Sequence, residues 1–168
     1  MIEHIKNTYC SYCGAVFTMA TWPRHCVICD NTTWQNPLPV VVVAVRIIND
    51  YNQNGGYVLI RRSIEPHVGE LALPGGYLEL GESWQQGAVR EVFEETGLKI
   101  YPSKIKLISV ITSPISSNLV VFCESWIWKN EVEFIPNDEV SEIIIADEPI
   151  TLAFPSHTEV LQNLLLSW

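Results

Sequence analysis

The sequence predicts an α/β protein, with one main domain over residues 35–168 behind a small cysteine-rich segment over 1–34. Three observations carry this. The run VVVVAVRII, from Val40 to Ile48, is apolar and rich in β-branched residues, as a buried strand is. A helix with both ends marked in the chain lies between Ser83 and Gly97. Four of the five cysteines form two Cys-x2-Cys pairs near the N-terminus.

The cysteine segment comes first. CSYCG (10–14) and CVICD (26–30) give Cys-x2-Cys, twelve residues and Cys-x2-Cys, with Gly14 easing the first turn. Thiolates of Cys10, Cys13, Cys26 and Cys29 at this spacing suit a closed structural Zn²⁺ site with no position open for catalysis. The rival readings are unrelated buried cysteines or a redox pair. The segment's charges cancel, Glu3 and Asp30 against Lys6 and Arg24. His25 beside Cys26 reads as a surface residue. WQNPLP (34–39) reads as a linker, because prolines 37 and 39 block a helix and favour an extended path.

After the strand at 40–48, NDYNQNGG (49–56) is dense in turn residues and YVLIRR (57–62) reads as the return strand of a hairpin. Residues 63–74 are expected as a loop leading to Leu73-Pro74-Gly75-Gly76. Ser83 followed by Gln86 makes a capping box, and Gly97 suits a left-handed C-cap. Between them Ala88, Val89, Val92, Phe93 and Thr96 are expected inward, with Arg90, Glu91, Glu94 and Glu95 outside that stripe. IKLISVITS (105–113) and LVVFCESWIW (119–128) read as strands around a PISSN turn, with Cys123 in the core. EIIIA (142–146) is a further strand inside an acidic stretch. HTEVLQNLLLSW closes the chain as a helix with Val160, Leu161, Leu164 and Leu165 inward.

The net charge of −9, with no basic run, argues against binding free nucleic acid. The first ten residues hold no apolar core of signal-peptide length, and the longest apolar run, Val40–Val45, is far short of a membrane span. The expectation is a cytoplasmic protein without membrane contact. Thiols stay reduced there, so paired cysteines point to metal.

The helix raises a chemical question. Like charges four apart on one helix face repel by a few tenths of a kcal/mol. Solvation of a surface face or a divalent cation would explain the crowding of Glu91, Glu94 and Glu95. Mg²⁺ takes oxygen ligands and keeps several waters. Glu91 and Glu95 are one turn apart with Glu94 beside them. Gly75 and Gly76 allow close backbone approach, so a carbonyl can join the ligands. Arg90 can pair with Glu94 and fix it. Two or more such ions would clamp a diphosphate and activate a water for in-line displacement.

Widened, the stretch runs Gly76, five residues, Glu82, seven residues, then Arg90-Glu91-Val92-Phe93-Glu94-Glu95-Thr96-Gly97-Leu98. It resembles the Nudix box at every defined position, and the likeness to Nudix hydrolases spans roughly residues 38–168. The resemblance implies an α/β/α sandwich around a mixed sheet. It implies Glu91, Glu94, Glu95 and the Gly75 carbonyl as ligands of Mg²⁺ or Mn²⁺, with Glu82 and Arg90 in support. A general base would be Glu139, its neighbour Glu142, or a glutamate of the box itself. Two positions depart from common family patterns: Leu71 and Ile145 stand where tryptophan is frequent, both read as packing changes.

A cysteine ribbon ahead of such a domain is similar to a zinc-ribbon Nudix subgroup. The SQPWPFP-like signature of its NADH pyrophosphatases is absent. The CxYCG…CxxC…NP layout is closer to small members linked to ADP-ribose and FAD hydrolysis. The implied activity is Mg²⁺-dependent cleavage of a nucleoside diphosphate linked to another moiety, ADP-ribose or FAD favoured, giving a nucleoside monophosphate and a phosphorylated remainder. The alternatives are hydrolysis of nucleoside triphosphates or dinucleoside polyphosphates, and a non-catalytic nucleotide-sensing regulator. Tyr77, Trp126 and Trp128 are the aromatics considered for stacking a base. A homodimer is expected by analogy with relatives.

Overall fold

The computed structural model describes residues 7–19, 21–49 and 54–167. Residues 50–53 of the expected turn, and the charges of Glu3 and Lys6, lie outside the described residues. The chain divides into two compact units, 1–37 and 38–168, with the division inside the Trp34–Pro39 segment.

In the first unit two short strands, β1 (Arg24–His25) and β2 (Thr32–Thr33), pair antiparallel. Each Cys-x2-Cys closes a turn. The Gly14 N–H donates to the Cys10 carbonyl and the Asp30 N–H to the Cys26 carbonyl, both at 2.9 Å. Gly14 (φ 76°) and Asp30 (φ 60°) take the left-handed conformation at equivalent places. Aspartate tolerates that region better than bulkier residues, so the second turn needs no glycine. Cys10 and Cys26 are the buried residues of this unit among those described. Arg24 lies 4.3 Å from the Trp22 ring centroid and donates to the Asn7 carbonyl at 2.6 Å. His25 is exposed, 3.2 Å from Asp30.

The second unit runs β3 (Pro39–Ile48), β4 (Asn54–Arg62), β5 (Leu71–Ala72), β6 (Gly75–Tyr77), α1 (Trp84–Thr96), β7 (Lys106–Thr112), β8 (Leu119–Trp128), β9 (Val140–Ala146) and α2 (Pro155–Leu166). The sheet has the order β5-β4-β3-β8-β7, with β6 also on β3 and β9 also on β4. β3 and β8 pair in parallel while the other pairs are antiparallel, so the sheet is mixed. β3 is buried on both faces, which is why its sequence is apolar without alternation. Val41, Val43, Val45 and Ile47 pack with Ala88 and Val92 of α1. Val42 and Ala44 point the other way, into a cluster with Tyr57, Leu59, Phe122 and Leu161 of α2. The architecture is an α/β/α sandwich. No described helix is long and apolar enough to cross a membrane.

Both ends of α1 are as the sequence predicts. Ser83 and Gln86 complete the capping box, and Gly97 (φ 72°) donates its N–H to the Phe93 carbonyl. The inner stripe needs correction at two residues. Phe93 is 51% exposed, and Glu95 is 6% exposed, inside the stripe rather than beside it. Residues 63–74 are also not wholly loop, because β5 adds to the β4 edge through Ile60↔Ala72 and Arg61↔Leu71. The turn glycines 75 and 76 belong to β6, which pairs with Val40–Val42. The last helix starts at Pro155, whose missing N–H costs nothing in a first turn. Val160, Leu164 and Leu165 pack onto the same cluster as Leu161, and Cys123 is buried, as expected.

Candidate active site

The walls of one cavity, about 710 Å³, come from β3, β6, α1, the 62–67 and 113–118 segments, Glu139 and the start of α2. It is within the size range of small-molecule sites. Glu91, Glu94, Glu95, Gly75 and Glu139 all line it, as do Arg90 and Tyr77.

Gly75 is required by its surroundings. Its φ is 149°, and an added Cβ would fall 2.2 Å from the Val41 carbonyl oxygen. At Gly76 a Cβ would meet the Glu91 carboxylate at 2.6–2.7 Å. The two glycines thus let β6 lie against β3 and α1 together. The Gly75 N–H donates to Glu95 Oε2 at 2.7 Å, fixing that carboxylate in the wall. Burial pushes the Glu95 pKa up to about 8 against the pull of this bond, and the charges of Glu91 and Glu139 push the same way. Burial also raises Glu91, with Arg90 opposing. Carboxylates that are costly to ionise, gathered on one wall, form a hard-oxygen donor set that a divalent cation suits.

Arg90 organises the helix side. Its Nε and Nη2 fork Glu82, at 3.1 and 2.7 Å, and its Nη1 reaches Glu91 at 2.8 Å and Glu94 at 3.0 Å. Nη2 also donates to the Tyr77 carbonyl at 2.9 Å. This bond to Arg90 holds the Glu82 carboxyl below the usual range. Glu82 and Arg90 therefore brace the 77–82 segment against α1. At Gly87 an added Cβ would strike Leu78 at 2.3 Å, so the segment packs directly on the helix.

Of the outer acids, Glu139 is in the cavity wall, whereas Glu142 is paired with Arg61 across the β4–β9 ladder and does not line the cavity. Trp126 and Trp128 do not line it either. They stack edge to face on each other, and Lys104 lies 4.0 Å from the Trp126 centroid. Their places on β8 send them elsewhere, so only Tyr77 of the three aromatics is at the cavity, its hydroxyl accepting from Asn118 at 3.2 Å.

Three cavity or cavity-side residues had no signal in the sequence reading. Arg62 donates to the Pro66 carbonyl at 2.8 Å and faces the Phe154 ring. Buried His157 accepts the Leu73 N–H on Nδ1 at 3.3 Å, bracing the glycine turn from α2. Burial draws its pKa down to about 3, with the Arg62 charge acting in the same direction, so the ring is neutral. Asn137 joins the loop before β9 to the end of α1. Polar residues whose partners lie in distant segments leave no periodic trace, and only the turn-forming Asn-Asp pair at 137–138 could have drawn notice.

In the first unit the sulfurs of Cys10, Cys13, Cys26 and Cys29 all lie within 4.8 Å of one another, with Cys10–Cys29 and Cys13–Cys26 each at 3.7 Å. A tetrahedron with Zn–S bonds of about 2.3 Å has edges of about 3.8 Å, so the set fits Zn²⁺. Among the described residues only this group gathers its ligand atoms so closely. The glutamates are spread because Arg90 draws Glu91 and Glu94 while the Gly75 N–H draws Glu95.

A mixed sheet between two helices, with a capped glutamate helix facing a glycine turn across an acidic cavity, defines the class of protein. The model of the NUDIX domain matches residues 39–156, and the chain belongs to that family. An ADP-ribose pyrophosphatase from Methanocaldococcus jannaschii is 39% identical over 71 residues, 42% of this chain and 41% of its own length. An NAD-capped RNA hydrolase NudC from Edwardsiella ictaluri is 29% identical over 97 residues, 56% of this chain and 35% of its own. The chain thus spans well under half the length of these curated relatives. A NUDIX hydrolase structure from Nitrosomonas europaea superposes with a TM-score of 0.73 at 23% identity, covering 95% of this chain and 91% of that one, which shows the shared fold.

Proposed function

We propose that the protein is a Mg²⁺- or Mn²⁺-dependent pyrophosphohydrolase that splits a nucleoside diphosphate linked to another moiety, with ADP-ribose or FAD as substrate. The observation that carries this is the placement of Glu95, buried in the cavity wall and bonded to the Gly75 N–H, with Glu91, Glu94 and Glu139 on the same cavity. Glu91, Glu94, Glu95 and the Gly75 carbonyl would hold the cation, which would supply Lewis-acid charge at the diphosphate. Arg90 and Glu82 keep the helix and glycine segment in register. Glu139 accepts the proton of the attacking water. The names of the relatives favour this substrate class, since ADP-ribose and an NAD cap both contain a nucleoside diphosphate bonded to a second group. Cys10, Cys13, Cys26 and Cys29 would hold a structural Zn²⁺ in the segment over residues 1–34.

Chromatographic product analysis tests the reading. Purified protein with Mg²⁺ is incubated separately with ADP-ribose, FAD, NADH, a deoxynucleoside triphosphate and a dinucleoside polyphosphate, each against an E95Q control. AMP released from ADP-ribose or FAD, and lost in the control, is the expected result. Cleavage of only the triphosphate or the polyphosphate would keep the chemistry and change the substrate. No cleavage by fully metallated protein would favour a nucleotide sensor.

A further inference from the structure

Asn137 uses both ends of its side chain. Its Nδ2 donates to the carbonyls of Glu94 at 3.1 Å and Glu95 at 3.2 Å. These are carbonyls of the last turn of α1, which have no partner within the helix. Its Oδ1 accepts the N–H of Glu139 at 3.0 Å and of Val140 at 2.9 Å, and its own N–H donates to the Val140 carbonyl at 3.0 Å. The Glu139 carbonyl is held from the opposite side by the Ser63 N–H at 2.7 Å. One side chain therefore spans from the glutamate end of the helix to the backbone of the acid across the cavity.

The span has a functional consequence. Glu139 lies on a loop, and its carboxylate makes no ion pair among the described residues. No ion pair fixes its position, so the backbone that carries it matters more. Without Asn137 the Ser63 bond to β4 would remain, but among the described residues no hydrogen bond would join the loop to α1. A group that must meet a water held by other residues loses rate steeply when misplaced by about 1 Å.

We propose that Asn137 is a positioning residue that sets Glu139 against the metal-ligand helix. This rests on the hydrolase reading and on Glu139 as its base.

The test is a double-mutant cycle on N137A, E139Q and N137A/E139Q, with Mg²⁺ and the substrate that product analysis selects, and folding checked by circular dichroism. E139Q is expected to lower kcat by about a hundredfold or more, as loss of a general base does. N137A should lower kcat by about tenfold, typical of an orienting partner, with KM within about twofold. The double variant should be no slower than E139Q, because Asn137 has nothing left to position. N137D keeps the acceptor for the loop amides and sets a carboxylate against the helix carbonyls, so it should lose as much as N137A. If E139Q is slow but N137A or N137D turns over at the wild-type rate, the inference is overturned and the hydrolase reading stands. The same holds if the double variant is about tenfold slower than E139Q, since Asn137 would then act elsewhere. Wild-type rates in E139Q with a dead E95Q would remove Glu139 as base and the inference with it. Wild-type rates in both would overturn the hydrolase reading as well.

Discussion

The cysteine unit and the glutamate helix hold their candidate ligand atoms by different means. In the first unit the described residues bury little besides Cys10 and Cys26, and each knuckle turn is closed by two backbone hydrogen bonds. In the second, α1 contributes Ala88 and Val92 to a twelve-residue core cluster, its ends are capped, and Arg90 and the Gly75 N–H hold the carboxylates. The sulfurs are close together with little buried packing to keep them so, while the carboxylates are held by side-chain and backbone partners. On the zinc reading proposed above, the ion would supply much of the folding energy of the first unit, whereas the second holds its carboxylates through its own packing and hydrogen bonds.

The largest expected effect follows from removing zinc. Structural zinc binding is worth on the order of 10–16 kcal/mol in small zinc domains. Chelation, or C10S with its loss of zinc, should therefore disorder residues 7–37 and leave the amide spectrum of residues 38–167 in place. A first unit still ordered without zinc would break the comparison. Next is Arg90. R90A removes a bidentate partner from Glu82 and one each from Glu91 and Glu94, and should cost about 3 kcal/mol in urea unfolding of the second unit. A loss below about 1 kcal/mol would show that the core alone orders the helix face. E95Q should lower turnover by about a hundredfold, or 2.7 kcal/mol of activation energy, without lowering the melting temperature, because it removes a costly buried ionisation. A large drop in melting temperature would mean the carboxylate is structural.

The effect that is smallest near neutral pH, and grows as the solution is acidified, belongs to His157. His157 is neutral in the folded protein, with its pKa near 3, against about 6.5 for a free imidazole. Below pH 6.5 the unfolded chain binds a proton that the folded chain refuses. Stability therefore falls by about 1.4 kcal/mol per pH unit from 6.5 toward 3, and this group contributes no slope above 6.5. H157N keeps an acceptor for the Leu73 N–H and cannot titrate, so its unfolding free energy should lose that part of the slope. An unchanged slope would place the titration elsewhere.

Much of the second unit was legible because its signals are local. The capping box and Gly97 mark α1 to the residue, and the β-branched runs mark β3 and β8. The short β5 and β6 were not legible, since two- or three-residue strands are made by their partners, β4 and β3, rather than by their own pattern. The spacing of the box placed Glu91, Glu94, Glu95, Arg90 and Glu82 on one helix and its neighbouring loop. It gave no hint that Glu95 would be buried, because the sheet's approach through Gly75 decides that. His157, through one hydrogen bond to Leu73, and Asn137, through two to the end of α1, join segments distant in sequence, which no one-dimensional pattern encodes.

The central claim is that α1 and the glycine turn form a divalent-cation site. Electron paramagnetic resonance titration of Mn²⁺ into zinc-loaded wild type and E95Q tests it most directly. Bound Mn²⁺ in the wild type, with affinity at least about tenfold weaker in E95Q, is the predicted result. Equal affinities would contradict the claim and leave the glutamate face as a solvated surface.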